Sequence, residues 1–258
     1  MDHHRKRREL YFGSGGDFFK KKQIDMFKRI ILSGECDLFA GDYLDNQDPY
    51  CERGRWKFSE EYGSYYSRKN IKPSYLPDFG VLKMSGKLED FALDRTWSSA
   101  QRSFMISEKA MEIFQEFDIA PYVSQKVEFV HRKKHFDNFH YLFFYTNNTD
   151  MVDYENSIFQ IRELIRDQII LQEDLRIRSE EEFFSLREGL GNEGTLKKIV
   201  PSKLQLTYTR DFFNFCHLGF DYYVSDRMRE KLVQKKVKGV EFWEPRFELK
   251  MPQGVGRA

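Results

Sequence analysis

The sequence predicts an α+β fold with a mixed or antiparallel sheet, packed helices and two similar strand-helix-strand units. Three observations lead to this prediction. Short apolar and aromatic runs, in a chain with 25 Phe and 14 Tyr, are typical of buried strands. Amphipathic stretches that follow a serine and begin with acidic residues are typical of capped helices. One strand, serine and helix segment also occurs twice.

The length of 258 residues allows one large domain or two small ones, with a substantial core. Residues 1–16 contain histidines, a basic run and a Gly/Ser stretch, and we interpret them as a disordered or tag-like N-terminus. Residues 17–258 are predicted to form a single α+β domain. Residues 41–78 interleave prolines and aspartates with aromatic residues, without a sustained period, and this indicates a loop-rich insertion.

The balance of charge limits the classes of partner. The chain has 42 Lys+Arg and 41 Asp+Glu, a net charge of +1, which does not indicate a nucleic-acid-coating surface. Its 3 cysteines stand at no metal-ligand spacing and favour a reducing compartment. No apolar run approaches the roughly 18 residues that a membrane helix needs. The sequence therefore predicts a cytoplasmic protein with no nucleic-acid or membrane partner.

Individual elements follow from periodicity and turn residues. Residues 23–32 have apolar positions at helical spacing, and residues 158–169 keep similar spacing but leave a strand possible because they are rich in isoleucine. Ser179 begins a helix that Gly189 and Gly191 are expected to end. Strands are predicted at residues 79–84, 104–106, 127–130, 141–145 and 204–208, with an irregular link at 90–96 and a polar loop at 131–138 inside a hairpin.

The repeated segment is Phe-Met-Ile-Ser-Glu-Lys at residues 104–109 and Tyr-Tyr-Val-Ser-Asp-Arg at residues 222–227. In both copies an apolar strand ends at a serine, and an acidic residue opens the helix that follows. The tripeptide Val-Glu-Phe comes after each helix, at residues 127–129 and 240–242. The serines are interpreted as helix caps, because no Gly-x-Ser-x-Gly elbow or histidine partner accompanies them.

Three segments, in their order along the chain, carry a resemblance to a known family. These are the serine-capped helix of residues 104–109, residues 148–159, and the helix that begins with Tyr-Val-Ser-Asp at residues 223–226 and ends in Lys-Gly-Val-Glu-Phe at residues 238–242. Together they resemble a family of bacterial immunity proteins encoded beside polymorphic toxins. The resemblance covers residues 77–245. It implies a protein that binds a cognate toxin, blocks the toxin's active site and needs no cofactor.

Aromatic side chains in the insertion are the predicted partner-binding residues. Tryptophan and tyrosine in a Gly/Ser-containing loop supply contact area with a polar group, which is typical of interface hot spots. Nearby aspartates would attract a basic toxin cleft. Local packing within the loop is the alternative. The candidate residues are Trp56, Tyr62, Tyr65, Tyr66, Asp42, Asp45 and Asp48.

An enzyme acting on a nucleotide or nucleic acid is the alternative function. It would use the segment from His131 to His140, which also contains His135 and Asp137, and the carboxylates near Asp150 and Asp153. The histidine spacing fits no zinc motif, and the intervening Arg-Lys-Lys would repel a cation, so neither a metal site nor catalytic residues are predicted. A module that assembles with itself is a third possibility.

Overall fold

The computed structural model describes most of the chain from residue 27 onward. The described residues are 27–32, 35–36, 70–76, 81–83, 87–94, 103–163, 170–192, 197–215 and 217–252. Among these residues, no helix is long and apolar enough to cross a membrane.

The helices are short, and strands dominate the architecture. The helices are α1 (Glu108–Phe114), α2 (Glu180–Asn192) and α3 (Asp226–Gln234), with a 3-10 turn at Thr149–Met151. The strands are β1 (Phe27–Leu32), β2 (Glu35–Cys36), β3 (Val81–Lys83), β4 (Phe91–Asp94), β5 (Ser103–Ser107), β6 (Tyr122–His131), β7 (Lys134–Phe144), β8 (Val152–Glu163), β9 (Ile170–Leu175), β10 (Lys197–Leu206), β11 (Phe212–Phe215), β12 (Gly219–Ser225), β13 (Val240–Trp243) and β14 (Glu248–Lys250).

These strands form three sheets. Sheet 1 has the order β11-β12-β1-β13, sheet 2 the order β14-β10-β8-β9, and sheet 3 the order β2-β4-β5-β7-β6-β3. Most neighbours are antiparallel, and the outer strands β14, β2 and β3 join their sheets in parallel. The α+β fold class, with mixed sheets and packed helices, is therefore confirmed.

The duplication extends well beyond the repeated hexapeptide. The order β4-β5-β7-β6 in sheet 3 matches the order β11-β12-β1-β13 in sheet 1, and a helix follows β5 and β12. The first unit takes all four strands from residues 91–144, whereas the second takes β1 from the N-terminal side. Ser107 pairs with Phe139 as Ser225 pairs with Phe27, so β1 occupies the place of β7.

The two units share one hydrophobic core. Phe104 and Tyr222 occupy equivalent places in the repeat, and their rings meet at 5.2 Å. Phe212 packs on Phe114 at 4.9 Å and on Tyr222 at 5.2 Å, which joins the helix of the first unit to the strands of the second. Burying such aromatic pairs provides both apolar area and specific edge contacts.

Both repeated serines cap their helices, as predicted. The amide of Ala110 donates to Ser107 Oγ at 3.3 Å, and the amide of Met228 donates to Ser225 Oγ at 3.3 Å. Each hydroxyl in turn donates to an aspartate that precedes the unit's first strand. We call Asp90, Ser107 and Lys109 the first cap cluster, and Asp211, Ser225 and Arg227 the second cap cluster.

Each cap cluster also accepts a backbone hydrogen bond from the other unit. Asp90 Oδ2 accepts the amide of Lys238, which follows α3, at 2.8 Å. Asp211 Oδ2 accepts the amide of Asp118, which follows α1, at 3.0 Å. The connection after each helix is thus held by the aspartate of the opposite unit, and the two repeats are linked reciprocally.

Several expected elements are corrected. The predicted helix at residues 23–32 is wrong where it is described, because Phe27–Leu32 is a strand held between β12 and β13. Residues 152–163 are strand β8, which resolves the ambiguous isoleucine segment as far as residue 163. The link at residues 90–96 contains strand β4. Helix α2 continues through Gly189 and Gly191.

The Val-Glu-Phe alignment is also wrong. Because Phe27 of β1 is equivalent to Phe139 of β7, Leu32 is equivalent to Phe144. Val240 pairs with Leu32 and Tyr122 pairs with Phe144, so Tyr122 is the residue equivalent to Val240. The two strands therefore start at the same distance from their serines, without a gap. The tripeptide of residues 127–129 lies farther along β6.

Candidate partner-binding surface

The last strand of sheet 1 carries a large exposed aromatic side chain. Strand β13 is one of the two outer strands of this sheet in the described part of the chain, and Trp243 at its end is 52% exposed. Neighbouring Phe242 faces the other way and packs against the main core. This alternation follows from the two-residue period of a strand. It leaves Trp243 on a face where a partner can cover it.

The Trp243 ring is held in a defined orientation. Its Nε1 donates to Glu241 Oε2 at 3.1 Å. The guanidinium carbon of Arg29, its cross-strand partner, lies 5.5 Å from the ring centroid. A cation over an aromatic face is attracted by the ring quadrupole. The ring is therefore pre-ordered and loses little rotational freedom when it binds.

A carboxylate connects this tryptophan to the body of the sheet. Asp221 Oδ2 accepts from Arg29 Nη1 at 3.4 Å and forms an ion pair with Arg246, whose Nε lies 3.2 Å away. Beneath it, burial and the charge of Asp221 raise the pKa of Tyr223 far above its ordinary value, so this phenol stays neutral. Arg246 is exposed and can contact a partner while Asp221 restrains it.

We call the exposed residues Glu241, Trp243 and Arg246 the Trp243 surface. Buried Arg29 and largely buried Asp221 hold it in place. Tryptophan, tyrosine and arginine dominate interface hot spots, because they combine large apolar area with polar groups. An outer strand can also accept an added strand from a partner. The Trp243 surface is therefore suited to binding a protein.

No family model matches this chain. A search of curated proteins finds no match either. The immunity-protein family thus stays a prediction from the three sequence segments, and the functional argument rests on the geometry of the described residues.

The partner-binding residues predicted in the insertion all lie outside the described part of the chain. These are Trp56, Tyr62, Tyr65, Tyr66, Asp42, Asp45 and Asp48. Their role as partner contacts therefore stays a prediction.

The histidine segment is a hairpin whose three histidines make different contacts. His131 is buried, with its ring 6.5 Å from that of Phe136. His135 Nε2 lies 3.5 Å from Glu128, and His140 Nε2 lies 2.9 Å from Glu108. In the described residues, no three His, Cys, Asp or Glu side chains are arranged to hold a metal ion. The polar loop is also shorter than expected, since only two residues separate β6 from β7.

The carboxylates of the alternative hypothesis have their own local partners. Asp153 accepts from the amide of Asn156 at 3.2 Å and from its side chain at 2.8 Å. Asp150 accepts a hydrogen bond from Tyr208, which burial and this contact keep protonated by raising its pKa. These contacts are of the kind that stabilise strand ends and turns.

The repeated serines are poorly suited to nucleophilic attack. Burial alone would raise the pKa of Asp90, but hydrogen bonds from Ser107, the Lys238 amide and Lys109 outweigh it and lower the pKa. The pKa of Asp211 is lowered in the same way, with Arg227 as the largest opposing contact. A carboxylate with a lowered pKa is a weak base, so these aspartates position the caps rather than activate the hydroxyls.

The turn of the hairpin has an unusual backbone. Arg132 and Lys133 adopt left-handed conformations, with φ of 49° and 66°. Two-residue hairpin turns of this kind favour Asn-Gly, because side chains other than glycine or asparagine are strained there. Each such residue costs on the order of 1 kcal/mol. The sequence nevertheless places two cations at this position.

Sequence reasoning missed both the Trp243 surface and the strained turn. Trp243 directly follows the predicted Val-Glu-Phe strand, so an exposed tryptophan could have been suspected there. Its position on an outer strand depends on β1, which pairs from more than two hundred residues away. The basic run at residues 132–134 is evident in the sequence, but its left-handed backbone has no sequence signal without glycine or asparagine.

Proposed function

We propose that this protein is an immunity-type inhibitor, which binds a cognate bacterial toxin and occludes the toxin's active site. The observation that carries the proposal is the exposed and pre-ordered Trp243 on the outer strand of sheet 1. The resemblance of the repeated segment to immunity proteins specifies the class of partner. Occlusion requires only a stable scaffold and a complementary surface, and it uses no cofactor or covalent step.

The reciprocal links between the two units support this mode of action. An inhibitor that ordered itself on binding would lose part of its binding energy to conformational entropy. The cap clusters fasten each helix connection to the opposite unit, and the shared aromatic core joins the sheets. The surface that carries Trp243 is thus presented by a preorganised scaffold.

Co-expression with the product of the adjacent open reading frame tests the proposal. We expect that product to arrest growth alone, and this protein to restore growth by forming a stable complex with it. A neighbouring product that is harmless alone contradicts the proposal. So does one that remains toxic and unbound in the presence of this protein.

Substitution of Trp243 tests the surface itself. Trp243→Ala is expected to weaken the complex by about 2 kcal/mol, roughly 30-fold in Kd, because a hot-spot ring is removed. The control is Leu171→Ala, which removes an apolar side chain that is 49% exposed on β9 of another sheet and is expected to leave the affinity unchanged. Isothermal titration calorimetry measures the affinity of both variants for the toxin. Equal affinities for Trp243→Ala and the wild type would exclude this surface from the interface.

A further inference from the structure

The tip of the β6–β7 hairpin combines strain, exposure and unpaired positive charge. Arg132 and Lys133 have φ of 49° and 66°. Together with Lys134 they are exposed, and within the described part of the chain their side chains make no ion pair or hydrogen bond. We call these three residues the basic tip. Strain that is retained without a structural benefit indicates a function for the side chains that cause it.

The hairpin extends beyond β5, its neighbour on the β7 side, while β3 pairs with β6 from Glu128 to Val130 on the other side. Strand β5 pairs with β7 only from Phe139 to Phe143, so residues 134–138 continue past the end of β5. Phe129 and Phe136 stack at 5.1 Å across the two strands and stiffen this extension. The basic tip is therefore carried on a supported arm and can enter a concave surface.

The distribution of charge favours a compact acidic site as the target. Glu128 and Asp137 are exposed on the two strands behind the tip, and Glu128 pairs with His135. The strands behind the tip thus carry acidic side chains, and the run of three adjacent cations lies at the turn. A nucleic-acid backbone is bound along an extended basic stripe with exposed aromatic rings, whereas Phe136 is already stacked on Phe129.

We infer that the basic tip enters a carboxylate-lined cleft of the protein partner and contributes electrostatic attraction to the complex. The inference rests on the proposed function and specifies the chemistry of the part of the toxin that the tip contacts. The basic tip would supply charge complementarity and a faster encounter.

The paired substitution Arg132→Asn with Lys133→Gly separates charge from folding. Asn-Gly is the favoured turn sequence, so this variant is expected to have a thermal midpoint equal to or above that of the wild type. It lacks two positive charges. We expect its association rate with the toxin to fall about tenfold at about 50 mM salt, and the difference to shrink at about 300 mM salt.

The matched control is Lys235→Asn with Lys236→Gly. Lys236 also has a left-handed backbone, with φ of 54°, and both lysines are exposed at the end of α3. The control introduces the same two residues and removes the same charge from another strained position. Its association rate is expected to equal that of the wild type. Equal slowing in both variants would overturn the inference, because net charge alone would then explain the effect.

Further outcomes separate this inference from the proposed function. Wild-type association in the Arg132→Asn/Lys133→Gly variant overturns the role of the basic tip and leaves the proposed function standing. A wild-type protein that does not bind the toxin overturns both. Binding of a mixed-sequence oligonucleotide that disappears in the tip variant would assign the tip to nucleic acid and overturn the acidic-cleft inference.

Discussion

In the first unit, Lys109 contacts Asp90 through a single ammonium group at 3.2 Å, whereas in the second unit Arg227 holds both carboxylate oxygens of Asp211. The side chain of Asp90 is 16% exposed and that of Asp211 is 5% exposed. Bidentate guanidinium contacts are stronger and more directional than a single ammonium contact. The same capping geometry can therefore be retained while the strength of the ion pair changes between copies.

The second unit also depends more on distant chain segments. Its β1 strand comes from the N-terminal side, and its β13 strand follows the connection that Asp90 fastens. The first unit takes β6 and β7 as a local hairpin. Local pairing involves a smaller loop-closure entropy than distant pairing. The stronger cap cluster thus lies in the unit whose strands are harder to bring together.

Substitution of Gly239, where the two units meet, is expected to have the largest effect on the free energy of unfolding. It lies in the connection after α3 with φ of +84°, and an added Cβ would be 2.5 Å from the carbonyl oxygen of Phe91. Gly239→Ala is expected to lower the free energy of unfolding by about 3 kcal/mol, because left-handed strain and a backbone clash act together. Denaturant unfolding measures the change.

Gly189→Ala is the control for this substitution. Gly189 lies inside α2 with nothing within 4 Å of an added Cβ. Alanine there should raise the free energy of unfolding by about 0.5–1 kcal/mol, because glycine is a poor helix former. If Gly239→Ala were as harmless as Gly189→Ala, the close approach of the two units at Phe91 would be disproved.

Substitution of the aspartates in the two cap clusters is expected to lower the free energy of unfolding by different amounts. Asp211→Asn should lower the free energy of unfolding by about 2 kcal/mol, because it weakens the contacts to Ser225, Arg227 and the Asp118 amide. Asp90→Asn should cost about 1 kcal/mol, because its ion pair is weaker and more exposed. Chemical denaturation of both variants gives the difference. Equal losses would show that the two clusters contribute alike.

The smallest expected effect is on the dependence of stability on pH. The pKa values of Asp90 and Asp211 both lie below the ordinary aspartate value of 3.8. Folding therefore favours the charged forms, and the stability that these carboxylates contribute is fully present above the ordinary aspartate pKa. It is lost as the pH falls through the lowered native pKa values. Thermal unfolding at a series of acid pH values should show a shallower decline in the Asp90→Asn/Asp211→Asn variant, and an unchanged decline would contradict this assignment.

The helix caps were predictable from the sequence because they are local. A serine followed by an acidic residue satisfies amides only a few residues away, and both Ser107 and Ser225 cap as predicted. The α+β class was predictable for a similar reason, since strand and helix periods are local patterns. In contrast, the helical spacing of β1 was misleading, because its neighbours in sheet 1 supply the pairing that makes it a strand.

The sequence by itself determined where the serine-capped helices start, that a strand-serine-helix segment is repeated, and that the chain combines helices with sheets. Only the tertiary structure decided that β1 completes the second unit, that Trp243 stands on an outer strand, and that Arg132 and Lys133 form a strained turn. The physical reason is the range of the interactions. Capping acts over a few residues, whereas strand order and exposure depend on which distant segments come together.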